Sequence, residues 1–207
     1  MLFYERLLWG QGLDLVCGVD EVGRGPLAGP VVASAVVFPK EVSLSGVKDS
    51  KKLTPEKREE LFELIHENAL DVGIGIVNEK IIDQMNILNA SLLAMQKAIK
   101  KLKRKPDVVL IDGNQKIPHL PIPQIAVVKG DSLSLSIAAA SIIAKVTRDR
   151  LMDKCHKKFP HFCFDENRGY SSKSHLEALK NYGPCEIHRK SFKTVKLLKF
   201  KQERLEI

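Results

Sequence analysis

Apolar positions along this chain fall into runs that switch between strand and helix spacing. Leu13–Asp20 carries Val16 and Val19 among apolar neighbours and reads as a strand. Val31–Phe38 is a nearly continuous, valine-rich apolar run between Pro30 and Pro39, the pattern of a buried strand. Val72–Val77 alternates glycine with β-branched residues and is a third strand. No long helix separates the first two, so antiparallel pairing is expected. Thr54-Pro55 has the form of an N-cap followed by proline at the first helical position, and Leu61, Leu64 and Ile65 supply the apolar stripe of that helix. Ile81, Met85, Leu88, Leu92, Met95, Ile99 and Leu102 then step by fours and threes, which predicts one long helix. Lys97, Lys100, Lys101 and Lys103 suit its C-terminal dipole, and Pro106 ends it.

Asp107–Ile111 is a short strand stopping at Asp112-Gly113, and Gln124–Val128 is another, after Pro118, Pro121 and Pro123. Ser132–Lys158 reads as a helix with a small-residue face at Ala138, Ala139, Ala140 and Ala144. Met1–Gly12 is either a short amphipathic helix or an irregular lead-in, and the tail from Ser191 to Ile207 is one more helix. The result is a mixed α/β sheet layered with helices, with no internal repeat or low-complexity tract.

At 207 residues with 44% hydrophobic content, the chain suits one domain with a real core. Its 33 Lys+Arg against 25 Asp+Glu leave a net charge of +8, which favours polyanions through Coulomb attraction and counterion release. Cys17, Cys155, Cys163 and Cys185 form no CxxC pair and suggest no disulfide framework. Glu5 and Arg6 interrupt the apolar start, so no signal peptide is expected. The uncharged run Ser132–Ala144, 13 residues, is too short to span a bilayer. These features predict a cytoplasmic, membrane-free protein.

Three acidic sites stand at predicted strand ends. Asp20-Glu21 closes the first strand, Asp112 closes VVLID, and Asp131 follows the strand IAVVK and Gly130. Strand ends in an open α/β sheet gather functional groups along one edge. Gathered carboxylates repel unless a divalent cation neutralises them, and Mg²⁺ suits an all-oxygen site of few carboxylates. Each residue also has a plainer reading. Asp131 can be the N-cap of the following helix, and Asp112-Gly113 can be an ordinary turn. Asp20 and Glu21, as strand neighbours, point to opposite faces and reach one site only if the chain bends there.

Gly23-Arg24-Gly25-Pro26-Leu27-Ala28 has GxGxxA spacing, but a strand rather than a helix follows, so a dinucleotide-binding reading fails on context. It remains a glycine-rich loop beside two acids, able to approach a polymer closely, or a tight turn between strands. Lys48-Asp49-Ser50-Lys51-Lys52 is either a phosphate-holding loop or a solvated charge run. His188, Arg189, Lys190, Lys193, Lys196, Lys199, Lys201 and Arg204 form either a phosphate-tracking surface or the wet face of a helix docked through Phe192, Val195 and Leu198. Cys155, His156, His161 and Cys163, with Cys185 and His188, lack the spacing of paired zinc knuckles and read better as reduced thiols and packing residues. Tyr170 is a packing residue with a wet hydroxyl, or a stacking residue beside a nucleic-acid groove.

In combination these segments resemble bacterial ribonuclease HII. The resemblance is carried by GVDEVGRGPLAGPVV at Gly18–Val32, DSKKL at Asp49–Leu53, LIDGN at Leu110–Asn114, KGDSLSLSIAAASIIAKVTRDR at Lys129–Arg150, NRGYSS at 167–172 and IHRKSF at Ile187–Phe192, in the family's order and over most of the chain. It implies a ribonuclease H-like fold, a five-stranded mixed sheet flanked by helices, with a catalytic domain over residues 1–184 and a basic helical C-terminal extension over 185–207. It implies an endoribonuclease that hydrolyses the RNA strand of RNA·DNA hybrids and cuts 5′ to ribonucleotides embedded in duplex DNA, leaving 3′-hydroxyl and 5′-phosphate ends.

By the same resemblance Asp20, Glu21, Asp112 and Asp131 are the catalytic, metal-holding acids, with Mg²⁺ or Mn²⁺ as cofactor in a two-metal route. Asp20 and Asp112 are the direct ligands, Glu21 is close by, and Asp131 holds the second metal or steers the attacking water. Gly23, Arg24 and Gly25 read the 2′-hydroxyl, Tyr170 packs on the sugar at the RNA–DNA junction, and Lys51 and Lys52 hold phosphates. The family's tyrosine is more often followed by Gly-Thr than by Ser171-Ser172, both small and hydroxylated here. A monomer is expected. Two other functions compete. A nuclease of related fold acting on DNA alone leaves the glycine-rich loop without a role, and a non-catalytic nucleic-acid-binding module leaves the acid set without one.

Overall fold

The computed structural model describes residues 1–47 and 53–203. Lys51 and Lys52, expected to hold phosphates, lie outside the described residues. The elements run α1 (Phe3–Gly10), β1 (Val16–Val22), β2 (Val31–Val37), α2 (Pro55–Asn68), β3 (Asp71–Val77), α3 (Glu79–Met85), α4 (Ile87–Lys100), β4 (Val108–Asp112), β5 (Gln124–Val127), α5 (Leu135–Lys158), α6 (Phe164–Asn167), α7 (Lys173–Tyr182) and α8 (Lys193–Glu203). The five strands form one mixed sheet in the order β3-β2-β1-β4-β5. β1–β2 and β2–β3 are antiparallel, as expected for the first three strands, while β1–β4 and β4–β5 are parallel.

Both faces of the sheet are covered, which is why β2 is buried at every position and reads as a continuous apolar run. On one face Cys17, Val19, Ala33, Ala35, Val109 and Ile111 pack against Ala94, Met95, Ala98 and Ile99 of α4. On the other, α2 and α5 share a core of Leu61, Phe62, Ile65, Ala138, Ala139 and Ile142, while Val16, Val108, Leu110 and Ile137 pack with Leu8 and Trp9 of α1. α5 lies close against β1 because Gly18 has no side chain. A Cβ there would stand 2.2 Å from the Ser136 carbonyl carbon.

Three expectations are corrected. The long helix predicted from Ile81 to Leu102 is two helices, broken at Asn86 in the left-handed region (φ 69°). The Asn86 side chain accepts from Asn89 N–H and caps α4, and the break leaves Leu88 exposed rather than on the buried stripe. The helix expected from Ser132 begins at Leu135, capped by Ser134, whose hydroxyl accepts from Ile137 N–H. Asp131 sits before it in a one-turn 3₁₀ segment, Gly130–Ser132, so it is not the cap of α5. α7 was not anticipated, although Ser172 caps it by accepting from His175 N–H. The start of the chain is helical, the first of its two readings. Beyond α7, Phe192, Val195 and Leu198 pack onto a core with Phe162, Phe164 and Leu179, the docked reading of the tail.

Candidate active site

The last ladder pair between parallel β1 and β4 is Val19–Ile111. One residue further along, Asp20 and Asp112 therefore leave adjacent strands in register, and alternation sends both toward α5. Asp20 accepts from Glu21 N–H at 2.7 Å and is 7% exposed. Asp112 accepts from Gly130 N–H at 2.7 Å, which ties the turn carrying Asp131 to the end of β4. β1 runs unbroken through Val22, so the bend expected between Asp20 and Glu21 is absent. Both still border one cavity of about 510 Å³. Its walls include Asp20, Glu21, Asp112, the loop Gly23-Arg24-Gly25 and Tyr170. Asp131 stands on the adjoining turn and not on the wall.

Burial, and then the charges of Glu21 and Asp112, hold the Asp20 carboxyl well above the usual carboxylate range. Burial raises Glu21 too, against the opposing pull of Arg24, whose guanidinium is 3.3 Å away. Such crowded carboxylates call for a cation. Among the described residues no three His, Cys, Asp or Glu side chains are drawn together as a ready cation cage. The donor set nonetheless fits Mg²⁺ or Mn²⁺ in kind: it is all oxygen, with room left for water.

The glycine loop is held from behind. Gly23 has φ 94°, and a Cβ on it would fall 2.3 Å from Arg148 Nε and 2.8 Å from the Pro30 carbonyl oxygen. Two fully buried guanidiniums frame this turn. Arg189 donates to the carbonyls of Gly23, Arg24 and Gly29, at 2.6, 2.9 and 2.9–3.0 Å. Arg148 donates to those of Pro30, Ala28 and Arg168, at 3.0, 3.2 and 2.9 Å. The next stretch of loop is sewn to two distant segments: Leu27 N–H donates to Gly169, Gly29 N–H to Ile187, and Arg189 N–H to Leu27. The Tyr170 ring lies alongside, its Cε1 3.7 Å from where a Gly25 Cβ would be. It is 44% exposed and faces the cavity, where both of its readings, packing residue with a wet hydroxyl and stacking residue, keep it within reach of a ligand.

Sequence reasoning missed four basic or polar residues here. Arg58 of α2 and Ser141 and Lys145 of α5 complete the cavity wall, and Arg148 stands behind it beside Arg189. Lys145 follows Ser141 by one helical turn, a spacing visible in the sequence, whereas nothing in it distinguishes a buried arginine from a surface one. His188 and Arg189, placed among candidates for a phosphate-tracking surface, are buried and take no part in one. Ser172 caps α7, its hydroxyl accepting from His175 N–H. Cys185 and His188 contact each other, Sγ to Nδ1 at 3.1 Å, and His156 pairs with Asp165.

The model of the family Ribonuclease HII matches residues 17–195, nearly the whole of this architecture. The chain belongs to the ribonuclease HII family. A ribonuclease HII from Caldanaerobacter subterraneus subsp. tengcongensis is 55% identical over 93% of this chain and 79% of its own length. The crystal structure of ribonuclease H2 from Pyrococcus horikoshii OT3 superposes with a TM-score of 0.77 at 32% identity, covering 92% of this chain and 99% of that one. Bst-RNase HIII in complex with Mn²⁺ shares the fold, with a TM-score of 0.69 at 20% identity, covering 92% of this chain and 70% of that one. The five-stranded ribonuclease H-like sheet and the endoribonuclease class of this chain follow from membership in the ribonuclease HII family. No helix among the described residues is long and apolar enough to cross a membrane.

Proposed function

We propose that this endoribonuclease acts on RNA·DNA hybrids and on DNA duplexes with embedded ribonucleotides, cutting on the 5′ side of the ribonucleotide. The observation that carries the reading is one cavity bordered at once by Asp20, Glu21 and Asp112, by the loop Gly23–Gly25 and by Tyr170. An acid cluster alone suits any metal-dependent nuclease. A backbone-rich loop beside it gives the site a means to test for a 2′-hydroxyl. Water adds to phosphorus and the bond to the 3′ oxygen breaks, leaving a 3′-hydroxyl and a 5′-phosphate.

Asp20, Glu21 and Asp112 would hold Mg²⁺ or Mn²⁺, with Asp131 serving a second ion or orienting water from its tethered turn. Ions bound there supply an activated water and neutralise charge developing at phosphorus. Arg24 holds Glu21 in place at 3.3 Å, and the loop presents its backbone to the ribose. The Tyr170 ring supplies an apolar platform for the sugar at the junction. Arg58 and Lys145 on the wall, with Lys51 and Lys52, attract phosphates. In this reading residues 1–184 are the catalytic domain and 185–207 a basic extension, and the chain works as a cytoplasmic monomer.

A labelled DNA duplex with one embedded ribonucleotide tests the proposal, with Mg²⁺ or Mn²⁺, beside an all-DNA duplex and an EDTA control. One cut 5′ to the ribonucleotide, absent from both controls, is expected. Equal cutting of the all-DNA duplex would overturn the substrate assignment. Binding without cutting in either metal would overturn the catalytic one.

A further inference from the structure

Tyr170 presents a difficulty for any role in positioning a sugar. Its side chain is 44% exposed, and its ring is flanked by the Gly25 backbone and by the Arg148 guanidinium 6.0 Å from the ring centroid, so the ring's place depends also on how its backbone is held. The Tyr170 N–H donates to the Asn167 carbonyl at 2.8 Å. Its carbonyl accepts from Ser172 N–H at 2.8 Å and lies 2.7 Å from Nδ1 of His175, a residue with no exposed surface. His175 Nε2 lies 3.0 Å from His188 Nε2, and His188 Nδ1 lies 3.0 Å from the backbone nitrogen of Cys185.

Backbone groups at the two ends determine every proton along this line of contacts. Cys185 N–H can only donate, so His188 Nδ1 is bare and its proton sits on Nε2. That proton points at His175 Nε2, which must be bare, and the His175 proton therefore sits on Nδ1, facing a carbonyl that can only accept. The Cys185 thiol lies 3.1 Å from the same Nδ1, and burial pushes it up to about 11, so it stays protonated and places no thiolate charge beside this line. The rings of Phe162 and Phe164 stack on each other and pack edge-on or tilted against both imidazoles. Aliphatic side chains would fill such an apolar shell without the cost of burying two polar rings. What the two imidazoles add is a directed line of hydrogen bonds ending on the backbone of Tyr170.

We propose that His175 and His188 are positioning residues for ribonucleotide recognition, fixing Tyr170 at the cavity through a one-way hydrogen-bond relay from Cys185. This role rests on the substrate proposed for the cavity. It also accounts for the segment IHRKSF, in which His188 holds the tyrosine while its neighbour Arg189 holds the glycine loop.

The test measures steady-state cleavage of a duplex with a single ribonucleotide and of a long RNA·DNA hybrid by the full chain. Wild type is compared with His175→Leu, His188→Leu and His175→Asn, each checked for folding by thermal unfolding. Asparagine can still donate to the Tyr170 carbonyl from near the Nδ1 position, whereas leucine cannot. The readout is the ratio of kcat/KM on the two substrates, which a smaller folded fraction leaves unchanged. In the leucine variants the ratio should fall by about tenfold or more through kcat, the scale of a misplaced contact at the reacting centre. His175→Asn should recover most of it. An unchanged ratio in a folded leucine variant, or an asparagine variant as impaired as leucine, overturns the positioning role. If His175→Leu does not fold, His188→Leu and His175→Asn decide the matter on the same ratio. A wild type that does not cut at the single ribonucleotide overturns the reading of the site, and the positioning role with it.

Discussion

Arg189 donates through Nη2 to the carbonyl oxygen of Gly23 at 2.6 Å, joining residues 166 positions apart. The guanidinium is buried, and peptide carbonyls of the loop accept its hydrogen bonds. Burial, and then repulsion from Arg148, lower its pKa from the ordinary value. A planar fork suits this place because one group reaches three carbonyls in fixed directions, which an ammonium cannot do.

Arg189→Lys should therefore fail as a conservative change. Leaving carbonyls of the loop without donors costs about 3 kcal/mol, read as a lower urea midpoint, and cleavage should fall with it. A variant with unchanged stability and activity would show that the loop keeps its shape unaided.

Asp20→Asn should separate function from stability. Removing one charge from a crowded, buried cluster should raise stability by on the order of 1 kcal/mol while abolishing turnover. Duplex affinity, followed by fluorescence anisotropy in EDTA, should hold or rise, because a negative charge has been lost. Mg²⁺ or Mn²⁺ should raise the thermal midpoint of the wild type more than that of the variant. Full turnover by Asp20→Asn would remove this residue from the catalytic set.

Gly18→Ala tests the packing that carries Asp20. The added methyl meets the backbone of Ser136 at 2.2 Å, so α5 must move off β1 or the strand must shift. A loss of about 3 kcal/mol in unfolding free energy, the upper end for an overpacked core, is expected. A wild-type midpoint would mean that α5 sits further from the sheet.

Stability should also fall in mild acid because of His188. Burial, and then the facing His175, push its pKa down from the ordinary 6.5 to about 4. Cys185 and the rings of Phe162 and Phe164 complete its surroundings. A histidine depressed on folding binds its proton more readily when unfolded, so its contribution is whole above the unfolded pKa and drains away as pH falls toward the folded one. Between about pH 7 and about pH 5 this amounts to on the order of 2 kcal/mol, seen as a shift in urea midpoint. His188→Leu should flatten that dependence, and an equally steep profile in the variant would assign the effect elsewhere.

The hydrophobic spacing by itself determined the five strands and the helices around α2, α4 and α5, because burial on one or both faces writes a period into the chain. Local chemistry determined others: Pro55 and Thr54 mark the start of α2 without any tertiary knowledge. The acids at the ends of β1 and β4 were legible as residues at strand ends. That Asp20 and Asp112 stand side by side was not, since it depends on β1 pairing in parallel with a strand about ninety positions away. The break at Asn86 escaped the periodicity because a single left-handed residue shifts the helix phase without disturbing the spacing of apolar side chains. Arg148, Arg189, His175 and His188 look like surface residues by type. Only the tertiary structure buries them, because their partners are backbone carbonyls and each other, and such partners leave no mark in the identity of any residue.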